Sequence, residues 1–458
     1  MSSIGPPTGM RDWLPPDALL RQHLIETISK VYRLYGYLPI DTPAMEDLSV
    51  LLGKGGGENE KLLFKVLKRG EKLEEARAGG DLADYGLRFD LTVPLARFIA
   101  THQGKLPRVF RRYHIGPVWR ADRPQKGRFR EFYQCDIDVV NGASPAYEVE
   151  IITATERVLK ELNLGKWWFR ISDKRLLPSL LKGFRIPEQK IKPILILLDK
   201  LEKVSPAQFD SELNEILDKG TDAWGKVWGL IKIPDINKDH EALRQTGTGY
   251  AHYEEKIFKQ VEDRAIREEI RAIRDNLDGV IKAVREINKE SRLIFHPTLV
   301  RGMDYYTGPV YEAVVEGFPS AILGGGRYDD LIGTFAGKKI PAVGCSLGFE
   351  RILSILQARK EGPPTTALSR VLLVNDGQPV DLLQRQAEQL RAAGFCVETY
   401  LDQDDLGRQF KYAEATDIPW AIRRFDPITS MVTVRDLSKR ADLTMELDAF
   451  WSLLNSSV

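Results

Sequence analysis

The sequence predicts a mixed α/β (α+β) chain that carries a helical insertion and ends in a separate α/β domain with a mixed sheet. Three patterns point to this fold class: a mixed strand–helix order at both ends of the first domain, a long stretch of helical periodicity inside it, and regular strand–helix alternation at the end of the chain. The 458 residues are enough for two to four domains. The expected division is a first domain at 1–165 and 291–360, the insertion at 166–290, a Gly/Pro linker at 361–369 and the last domain at 370–458.

Composition is that of an ordinary globular protein, with 43% hydrophobic and 29% charged residues. The 66 lysines and arginines are balanced by 65 aspartates and glutamates, which excludes a uniformly basic nucleic-acid coat but allows local basic patches. No apolar run reaches the ~18 residues of a membrane span, and no secretory signal is visible. Cys135, Cys345 and Cys396 lie far apart without a CxxC pattern, so we expect a reducing, cytoplasmic setting without disulfides or structural zinc.

Hydrophobic spacing predicts the elements of residues 1–165. The first helix places Leu20, Ile25 and Ile28 among its apolar positions, and a proline ends the strand that follows. Either Asp90 or Thr92 can cap the second helix. In chain order we expect a helix at Leu19–Leu34, a strand at Tyr37–Pro43, a charged, glycine-rich flap or loop at Leu51–Ala83, a strand at Tyr85–Asp90, a helix at Thr92–His102, a strand at Val109–Trp119 and a helix at Ala146–Leu162.

Residues 166–290 are rich in lysine, glutamate, leucine and isoleucine at helical spacing, and we infer no chemistry from them. Residues 370–458 alternate in the manner of a compact α/β domain. The insertion is expected to contain helices at Gln189–Lys203, Phe209–Asp218 and Val261–Lys289; the last domain, strands at Val371–Asn375, Cys396–Leu401, Trp420–Phe425, Met431–Leu437 and Leu443–Leu447 with helices at Val380–Ala393, Leu406–Ala415 and around Phe450–Leu454.

The most informative segment is Val118–Gln134, which predicts a strand, a basic loop and a second strand. Arg120 ends the first strand. Between Lys105 and Arg130 lie nine lysines or arginines and a single acid, Asp122. A polyanion is therefore the expected ligand of this hairpin, although a solvated basic hairpin would have the same composition.

The strand after the loop carries Phe132, Gln134, Asp136 and Asp138 with period two. Side chains at this spacing share one face of a strand. The hairpin can thus place guanidinium groups over a phosphate chain while an amide and carboxylates hold an amine-bearing substrate.

Two further segments carry polar groups suited to a small ligand. Asp90 and Thr92 stand two residues apart, where a carboxylate and a hydroxyl suit an ammonium group, although the same pair is common at helix starts. In Leu299–Gly308, Arg301 precedes a glycine that allows close approach to a ligand. Tyr305 and Tyr306 of that segment offer flat faces for a heteroaromatic ring or, alternatively, pack into the core.

A run of three glycines in Leu323–Leu331 leads to Gly344–Ile352, which predicts a strand that turns into a helix. Arg351 projects from the first turn of that helix. The segment lacks the Gly-x-x-x-x-Gly-Lys-Ser/Thr pattern of a P-loop. Cys345 within it is interpreted as a small buried residue beside glycines and not as a nucleophile.

Taken together, these segments resemble the signature motifs of class II aminoacyl-tRNA synthetases, and within that class the histidyl-tRNA synthetase family. The resemblance to the family includes two histidine-specific motifs and the Gly-Met-Arg-Asp opening. The matching segments are Tyr35–Pro43 for the end of motif 1, Val118–Gln134 for motif 2, Gly344–Arg351 for motif 3, Leu299–Gly308 and Leu323–Leu331 for the histidine motifs, and Gly9–Asp12 for the opening.

The resemblance implies a class II synthetase catalytic domain on an antiparallel sheet, interrupted by the helical insertion and followed by an anticodon-binding domain. It also implies a two-step reaction. L-Histidine and ATP, with Mg²⁺, give histidyl-adenylate and pyrophosphate, and the histidyl group then passes to the terminal adenosine of tRNA(His). A homodimer through motif 1 is the expected assembly, and no Mg²⁺ ligand is assigned.

By the same resemblance, individual roles are carried over to positions of this sequence. Arg120 and Arg301 would be the catalytic arginines at the α-phosphate. ATP would be bound by Arg120, Arg128 and Arg351, and histidine by Asp90, Thr92, Gln134, Asp138, Arg301, Tyr305 and Tyr306.

Two alternatives stay open on the sequence. Family members that serve as regulatory or tRNA-sensing paralogues are catalytically inactive, and other amino-acid ligases do not act on tRNA. Asp122 stands where many motif 2 sequences have glutamate, and the strand from Trp420 lacks the Gly-x-x-Glu common in the family. No anticodon contact is assigned, because Lys411, Arg423 and Arg424 could contact tRNA or be solvated.

Overall fold

The computed structural model describes residues 4–53, 58–124, 128–201, 204–231, 257–300, 305–359 and 370–456. The chain forms two compact units. The first comprises Met1–Asp12 and Leu24–Ile355, and the second comprises Trp13–His23 and Leu356–Val458. Within the described ranges, no helix is long and apolar enough to cross a membrane.

Eleven strands and twelve α-helices are described before residue 360. The strands are β1 (Leu38–Pro39), β2 (Met45–Asp47), β3 (Lys65–Leu67), β4 (Ala83–Leu87), β5 (Phe110–Trp119), β6 (Glu131–Val140), β7 (Trp167–Asp173), β8 (Leu293–Phe295), β9 (Pro309–Val315), β10 (Leu323–Arg327) and β11 (Ala342–Gly348). The helices are α1 (Pro15–Leu34), α2 (Leu48–Leu52), α3 (Glu71–Arg77), α4 (Thr92–His102), α5 (Ala146–Glu161), α6 (Leu176–Gly183), α7 (Glu188–Asp199), α8 (Pro206–Ile216), α9 (Asp222–Ile231), α10 (Arg264–Ile287), α11 (Gly333–Ala336) and α12 (Phe349–Arg359).

An eight-stranded sheet runs through the first unit in the order β1-β5-β6-β11-β10-β9-β7-β8. Its six central strands pair antiparallel, while the outer pairs β1–β5 and β7–β8 are parallel. The antiparallel sheet expected from the sequence is therefore confirmed. The predicted hairpin is the β5–β6 ladder, which extends from Phe110 opposite Val140 to Trp119 opposite Glu131.

The alternation of side chains along β6 separates a packed face from a polar face. Cys135, Ile137 and Val139 are fully buried, and helix α5 packs against β6 and β11. Because successive side chains of a strand point to opposite faces, the polar residues between these three lie on the other side of the sheet. That side is the floor of the cavity described below.

The region expected as a helical insertion begins with a strand. All seven residues of β7 are buried, and the strand pairs with β9 inside the main sheet. A strand buried throughout lacks the alternation of apolar and polar residues by which strands are recognised. The expectation of helix is therefore wrong for this strand, whereas the three helices expected further on are confirmed as α7, α8 and α10. The boundaries of the domains themselves stay a prediction.

Helix α10 shows why the periodicity in this region is reliable. Asp263 caps it by accepting a hydrogen bond from the backbone N–H of Ile266 at 3.0 Å. Ile270, Ile273 and Leu277 follow at spacings of three and four residues and are buried. One face of the helix is thus apolar, and that face packs against α5 and α6.

A small antiparallel sheet in the order β2-β4-β3 includes part of the segment expected as a flap or loop. The described residues of that segment include strand β3 and helix α3. The expectation of a loop is therefore wrong for these two elements.

The second unit is built on a five-stranded mixed sheet in the order β13-β12-β14-β15-β16. β13, β12 and β14 run parallel, and β14, β15 and β16 pair antiparallel. The mixed sheet expected from the sequence is therefore confirmed. Its core includes the stacked rings of Phe395 and Phe450, 5.7 Å apart. The elements are β12 (Arg370–Leu373), α13 (Val380–Ala392), β13 (Cys396–Thr399), α14 (Leu406–Ala415), β14 (Trp420–Asp426), β15 (Met431–Asp436), β16 (Ala441–Glu446) and α15 (Leu447–Ser456).

Candidate active site

A cavity of about 970 Å³ lies over the polar face of the main sheet. Its floor is formed by β6, β10 and β11, and its walls include the start of α4, the base of the β5–β6 hairpin and the start of α12. Every described residue of the predicted site lines this cavity, whereas Arg301 lies outside the described residues. The lining residues predicted from the sequence are Asp90, Thr92, Arg120, Arg128, Gln134, Asp138, Tyr305, Tyr306 and Arg351.

A glycine in the cavity floor leaves space for the carboxylate of Asp138. Gly344 lies directly opposite Asp138 in the ladder between β6 and β11. A Cβ atom at Gly344 would overlap the Asp138 carboxylate and lie 2.7 Å from the Ile137 carbonyl oxygen. Glycine is therefore required at this position for the carboxylate to occupy the floor.

Asp138 is held from two sides. Its Oδ2 lies 2.7 Å from Nη2 of Arg112, which is opposite it on β5, and its Oδ1 accepts a hydrogen bond from the Tyr328 hydroxyl. Burial raises the pKa of Asp138, while the charge of Arg112 and the bond from Tyr328 oppose that shift. The carboxylate is thus fixed in orientation before any ligand binds.

Asp136 is a second buried carboxylate of the floor, and it was not among the predicted site residues. Burial raises its pKa to about 7, with the nearby Asp138 adding to the shift. Among the described residues its Oδ1 has no hydrogen-bond partner. The period-two pattern that identified Gln134 and Asp138 includes Asp136, so the sequence contained the signal for this residue.

At the start of α4, the side chain of Asp90 accepts a hydrogen bond from the first turn of the helix, as expected for one of the two predicted capping residues. Its Oδ1 accepts a hydrogen bond from the Val93 N–H at 3.1 Å, whereas its buried Oδ2 has no partner within the described part of the chain. Burial raises the pKa of Asp90 to about 6, against the pull of the Arg120 charge. One oxygen therefore stabilises the helix and the other is left for a donor in the cavity.

The tyrosines form one aromatic wall. The rings of Tyr305 and Tyr306 have centroids 4.8 Å apart, and Tyr305 meets Tyr328 edge to face at 5.8 Å. A side-chain hydrogen bond also links Tyr305 to Thr92. This wall is flat and polar at its edges, which suits a heteroaromatic ring.

Two arginines stand at the base of the hairpin. Nε of Arg120 donates to the Phe89 carbonyl oxygen at 3.0 Å, and its guanidinium carbon lies 5.0 Å from the centre of the Phe132 ring. The side chain of Arg128 is 57% exposed and its Nε lies 3.1 Å from Oδ2 of Asp122. Arg120 is thus fixed in place, while Arg128 is held by a pair that solvent and a phosphate can displace.

The start of α12 closes the site. Arg351 donates to the Ala321 carbonyl oxygen, and the preceding Glu350 forms an ion pair with Arg11 from the N-terminal segment. The Arg11 guanidinium lies 3.4 Å from the centre of the Phe129 ring, next to the hairpin. Glu350 and Tyr328 were not predicted as site residues, although both lie in motifs that the sequence singled out.

Negative and positive side chains occupy different parts of the cavity, and this determines which ligand groups each part can bind. Carboxylates, an amide and tyrosines occupy the floor and one wall, and arginines occupy the hairpin and the start of α12. Buried carboxylate oxygens that have no hydrogen-bond partner among the described residues can accept hydrogen bonds from the N–H groups of an amino acid. The guanidinium groups can bind a phosphate chain. Across the described residues, no group of three or more His, Cys, Asp or Glu side chains is arranged to hold a metal ion.

Comparison with known proteins gives consistent matches. The family model described as histidyl-tRNA synthetase matches residues 9–352, and one described as an anticodon binding domain matches residues 369–457. Histidine–tRNA ligase of Leifsonia xyli subsp. xyli is 39% identical over 399 residues, which cover 86% of this chain and 89% of the relative. That of Flavobacterium johnsoniae is 33% identical over 453 residues, covering 91% of each. The crystal structure of histidyl-tRNA synthetase from Nostoc sp. PCC 7120 matches with a TM-score of 0.80 and 28% identity over the full length of both chains.

Proposed function

The chain belongs to the histidyl-tRNA synthetase family, and we propose that the cavity of its first unit is where L-histidine and ATP react. Its activity is that of a histidine–tRNA ligase, an enzyme that forms aminoacyl-tRNA with ATP as a substrate. The observation that carries the assignment to the cavity is the meeting of carboxylates and arginines over one sheet face.

In the first step, an oxygen of the histidine carboxylate would attack the α-phosphorus of ATP, and the bond to pyrophosphate would break. The carboxylate is ionised near neutral pH, so the step needs no general base. It needs alignment of the reactants and positive charge over the developing charge at phosphorus. We assign that charge to Arg120 and, by family resemblance, to Arg301.

The remaining arginines would hold the pyrophosphate end of ATP. Arg128 would exchange its pair with Asp122 for the β- and γ-phosphates, and Arg351 would bind the γ-phosphate. Mg²⁺ would enter with the nucleotide and neutralise the β- and γ-phosphates, since it is commonly bound through phosphates and few protein ligands.

The histidine side chain would lie on the floor and against the tyrosines. Asp90 and Thr92 would take the ammonium group, and Gln134 and Asp138 would bind the imidazole nitrogens. Tyr305 and Tyr306 would enclose the ring. A pocket that pairs with both ring nitrogens leaves buried groups unpaired when another side chain enters, which can reject analogues by roughly 10⁴.

In the second step, a ribose hydroxyl of the terminal adenosine of tRNA(His) would attack the histidyl carbonyl carbon, and AMP would leave. The second unit would bind the anticodon region of that tRNA. The match of residues 369–457 to an anticodon binding domain supports this division of labour.

We also propose that the enzyme is a homodimer that acts in the cytoplasm. Leu34, just before the segment that resembles motif 1, and Leu38, within that segment, are 60% and 61% exposed in the single chain, as apolar residues of an interface would be. Sedimentation equilibrium should give about twice the chain mass of 51.9 kDa. A mass of one chain at micromolar concentration would contradict the homodimer.

The alternative of an inactive regulatory or tRNA-sensing paralogue is not favoured by the cavity. Such paralogues usually lose arginines of the phosphate site. Arg120, Arg128 and Arg351 are present here and line the cavity.

The test is amino-acid-dependent ATP–pyrophosphate exchange with Mg²⁺ and each of the twenty amino acids, followed by tRNA charging. Exchange with histidine alone is the expected result. Arg120→Ala should lower kcat by roughly 10²–10³, because a preorganised contact to the transition state is lost. Arg111→Ala is the matched control. Arg111 is an arginine of the same hairpin, on β5, but it pairs with Glu150 and does not line the cavity. Absence of exchange with any amino acid, from folded protein, would overturn the proposal.

A further inference from the structure

Arg112 is a fully buried cation beneath the cavity floor that none of the assigned roles uses. It lies on β5, and its Nη2 is 2.7 Å from Oδ2 of Asp138 and 3.9 Å from Oδ2 of Asp136. Both carboxylates are themselves buried. One guanidinium is thus within ion-pair distance of two carboxylates that line the cavity.

The bonding of Arg112 differs from that of a buried arginine with a structural role. Arg327 on β10 is saturated by protein: its Nε and Nη2 bind the two oxygens of Glu148 at 2.6 and 2.7 Å, and its Nη1 donates to the Gly142 carbonyl oxygen at 3.0 Å. None of the three guanidinium nitrogens of Arg112 makes a hydrogen bond within the described ranges, so its contact with Asp138 is an ion pair. The contacts that Arg112 does make are directed at the floor of the cavity.

Among the described residues, the other groups in contact with these two carboxylates do not supply a second cation. His114, opposite Asp136 on β5, stays neutral because burial and the charges of Arg112 and Arg88 lower its pKa to about 3. Ser346 hydrogen-bonds to Asp136 from β11, and the Tyr328 hydroxyl bonds to Asp138. Asp90 also acts on Asp136, and its negative charge raises the pKa of Asp136 further.

Burial by itself would drive both carboxyl groups toward the neutral form. It raises the pKa of each, and their mutual repulsion adds to the shift of Asp136, whereas the charge of Arg112 lowers both. A neutral carboxyl group presents a hydroxyl and loses acceptor capacity. The protonation state of the floor therefore depends on Arg112.

We propose that Arg112 is a positioning residue of the amino-acid pocket, which orients the carboxylates of Asp136 and Asp138 and favours their ionised form, so that the floor accepts hydrogen bonds from the imidazole of histidine. The inference rests on the proposed function of the cavity. It extends the pocket by two residues, Arg112 and Asp136, that act together with the predicted Asp138. Arg112 itself does not line the cavity, so it acts through the carboxylates.

The experiment measures histidine-dependent pyrophosphate exchange for Arg112→Gln and Arg112→Lys in the full-length enzyme from pH 6 to 9. Each KM is divided by the wild-type value at the same pH, which removes the titration of free histidine. Arg112→Gln should raise the KM for histidine by about fivefold at pH 7 and by up to about tenfold toward pH 6, the limit for a shift of one pKa unit, and leave the KM for ATP unchanged. Arg112→Lys should restore most of the affinity, because it keeps the charge.

The inference also predicts how the effect of Arg112→Gln on the KM for histidine changes with pH. Without the cation the carboxylates bind protons more tightly, so the acceptors are lost as pH falls and are regained as it rises. The KM ratio of Arg112→Gln should therefore be largest at pH 6 and shrink toward pH 9. A folded Arg112→Gln enzyme with a wild-type KM at every pH, or with equal, pH-independent rises in both KM values, would overturn the inference.

A matched control separates positioning from stability. Arg170 is buried on β7 and pairs with Glu312 at 3.2 Å, and neither residue lines the cavity. Arg170→Gln should lower the melting temperature and leave the KM for histidine unchanged. A comparable rise in KM with Arg170→Gln would show that loss of any buried arginine of the sheet suffices, and would overturn the inference.

If Arg112→Gln does not fold, Asp136→Asn tests the same network. Removing this carboxylate takes one acceptor from the floor, so the KM for histidine should rise at every pH. It also gives Asp138 the whole of the Arg112 charge and removes a repulsive neighbour, so the pH below which this KM increases further should be lower than in wild type. An unshifted profile would overturn the inference. Failure of the proposed function looks different, because then wild-type enzyme itself shows no histidine-dependent exchange.

Discussion

At the residue scale, the cavity floor depends on contacts between side chains on neighbouring strands. Asp138 occupies the floor because Gly344 leaves it space on one side and Arg112 meets it on the other. Each of these residues is opposite Asp138 in a ladder, and directly opposed side chains are the closest neighbours that a sheet provides. We therefore expect a substitution at any of the three positions to alter the cavity floor.

Gly344→Ala tests this crowding. The added methyl group must displace the Asp138 carboxylate or the strand, so we expect a loss of about 1–3 kcal/mol in the free energy of unfolding and a raised KM for histidine. Urea unfolding and pyrophosphate exchange measure the two effects. Gly104→Ala is the control, since no atom lies within 4 Å of its added Cβ. Unchanged stability and an unchanged KM for histidine in Gly344→Ala would show that the strands accommodate the methyl group without disturbing Asp138.

At the scale of elements, buried carboxylates also connect helices to the sheet. Glu156 on α5 accepts a hydrogen bond from Nδ2 of Asn288 at 2.7 Å and another from Ser291, in the segment between α10 and β8. Burial raises the pKa of Glu156 to about 6, against the effect of these bonds. We therefore expect the link between α5 and the segment before β8 to depend on pH.

The sign of this dependence follows from the raised pKa. Glu156 is protonated in both states below its ordinary value of 4.5, and the unfolded chain loses the proton first as pH rises. The stability contributed by the protonated group is therefore lost between pH 4.5 and about 6. We expect the free energy of unfolding of wild type, minus that of Glu156→Gln, to fall by about 2 kcal/mol between pH 4.5 and 7. Urea unfolding at several pH values measures the difference, and a constant difference would count against the shifted pKa.

At the scale of the whole molecule, the net charge limits how the chain can bind tRNA. The net charge of +1 gives the chain no general attraction for nucleic acid. Binding of tRNA therefore has to come from local groups, and Lys411 and Arg424 of the second unit are exposed cations. Whether they contact tRNA or are merely solvated is a question that the sequence left open.

Charge reversal at these two positions answers it. Lys411→Glu with Arg424→Glu should raise the KM for tRNA and reduce the slope of log KM against log salt by about one for each lost phosphate contact. Pyrophosphate exchange, which needs no tRNA, should stay at the wild-type rate. An unchanged KM for tRNA with an unchanged salt slope would identify both residues as solvated surface.

The sequence by itself determined those features that depend on spacing along the chain. Helix α10 follows from apolar residues three and four apart, the β5–β6 hairpin from a basic loop between strands, and the polar face of β6 from period two. The predicted residues Gln134 and Asp138 line the cavity for that reason. Such periodicities are local, because helix and strand geometry fixes which side chains share a face.

Only the tertiary structure decided which residues of different strands and segments contact each other. The place of β7 in the main sheet, the contact of Arg112 with Asp138 and the ion pair of Arg11 with Glu350 join residues that are distant in sequence. Register between strands is set by packing and by the pairing of whole ladders. No spacing within one strand encodes it, which is why the floor carboxylates were partly predictable and the arginine beneath them was not.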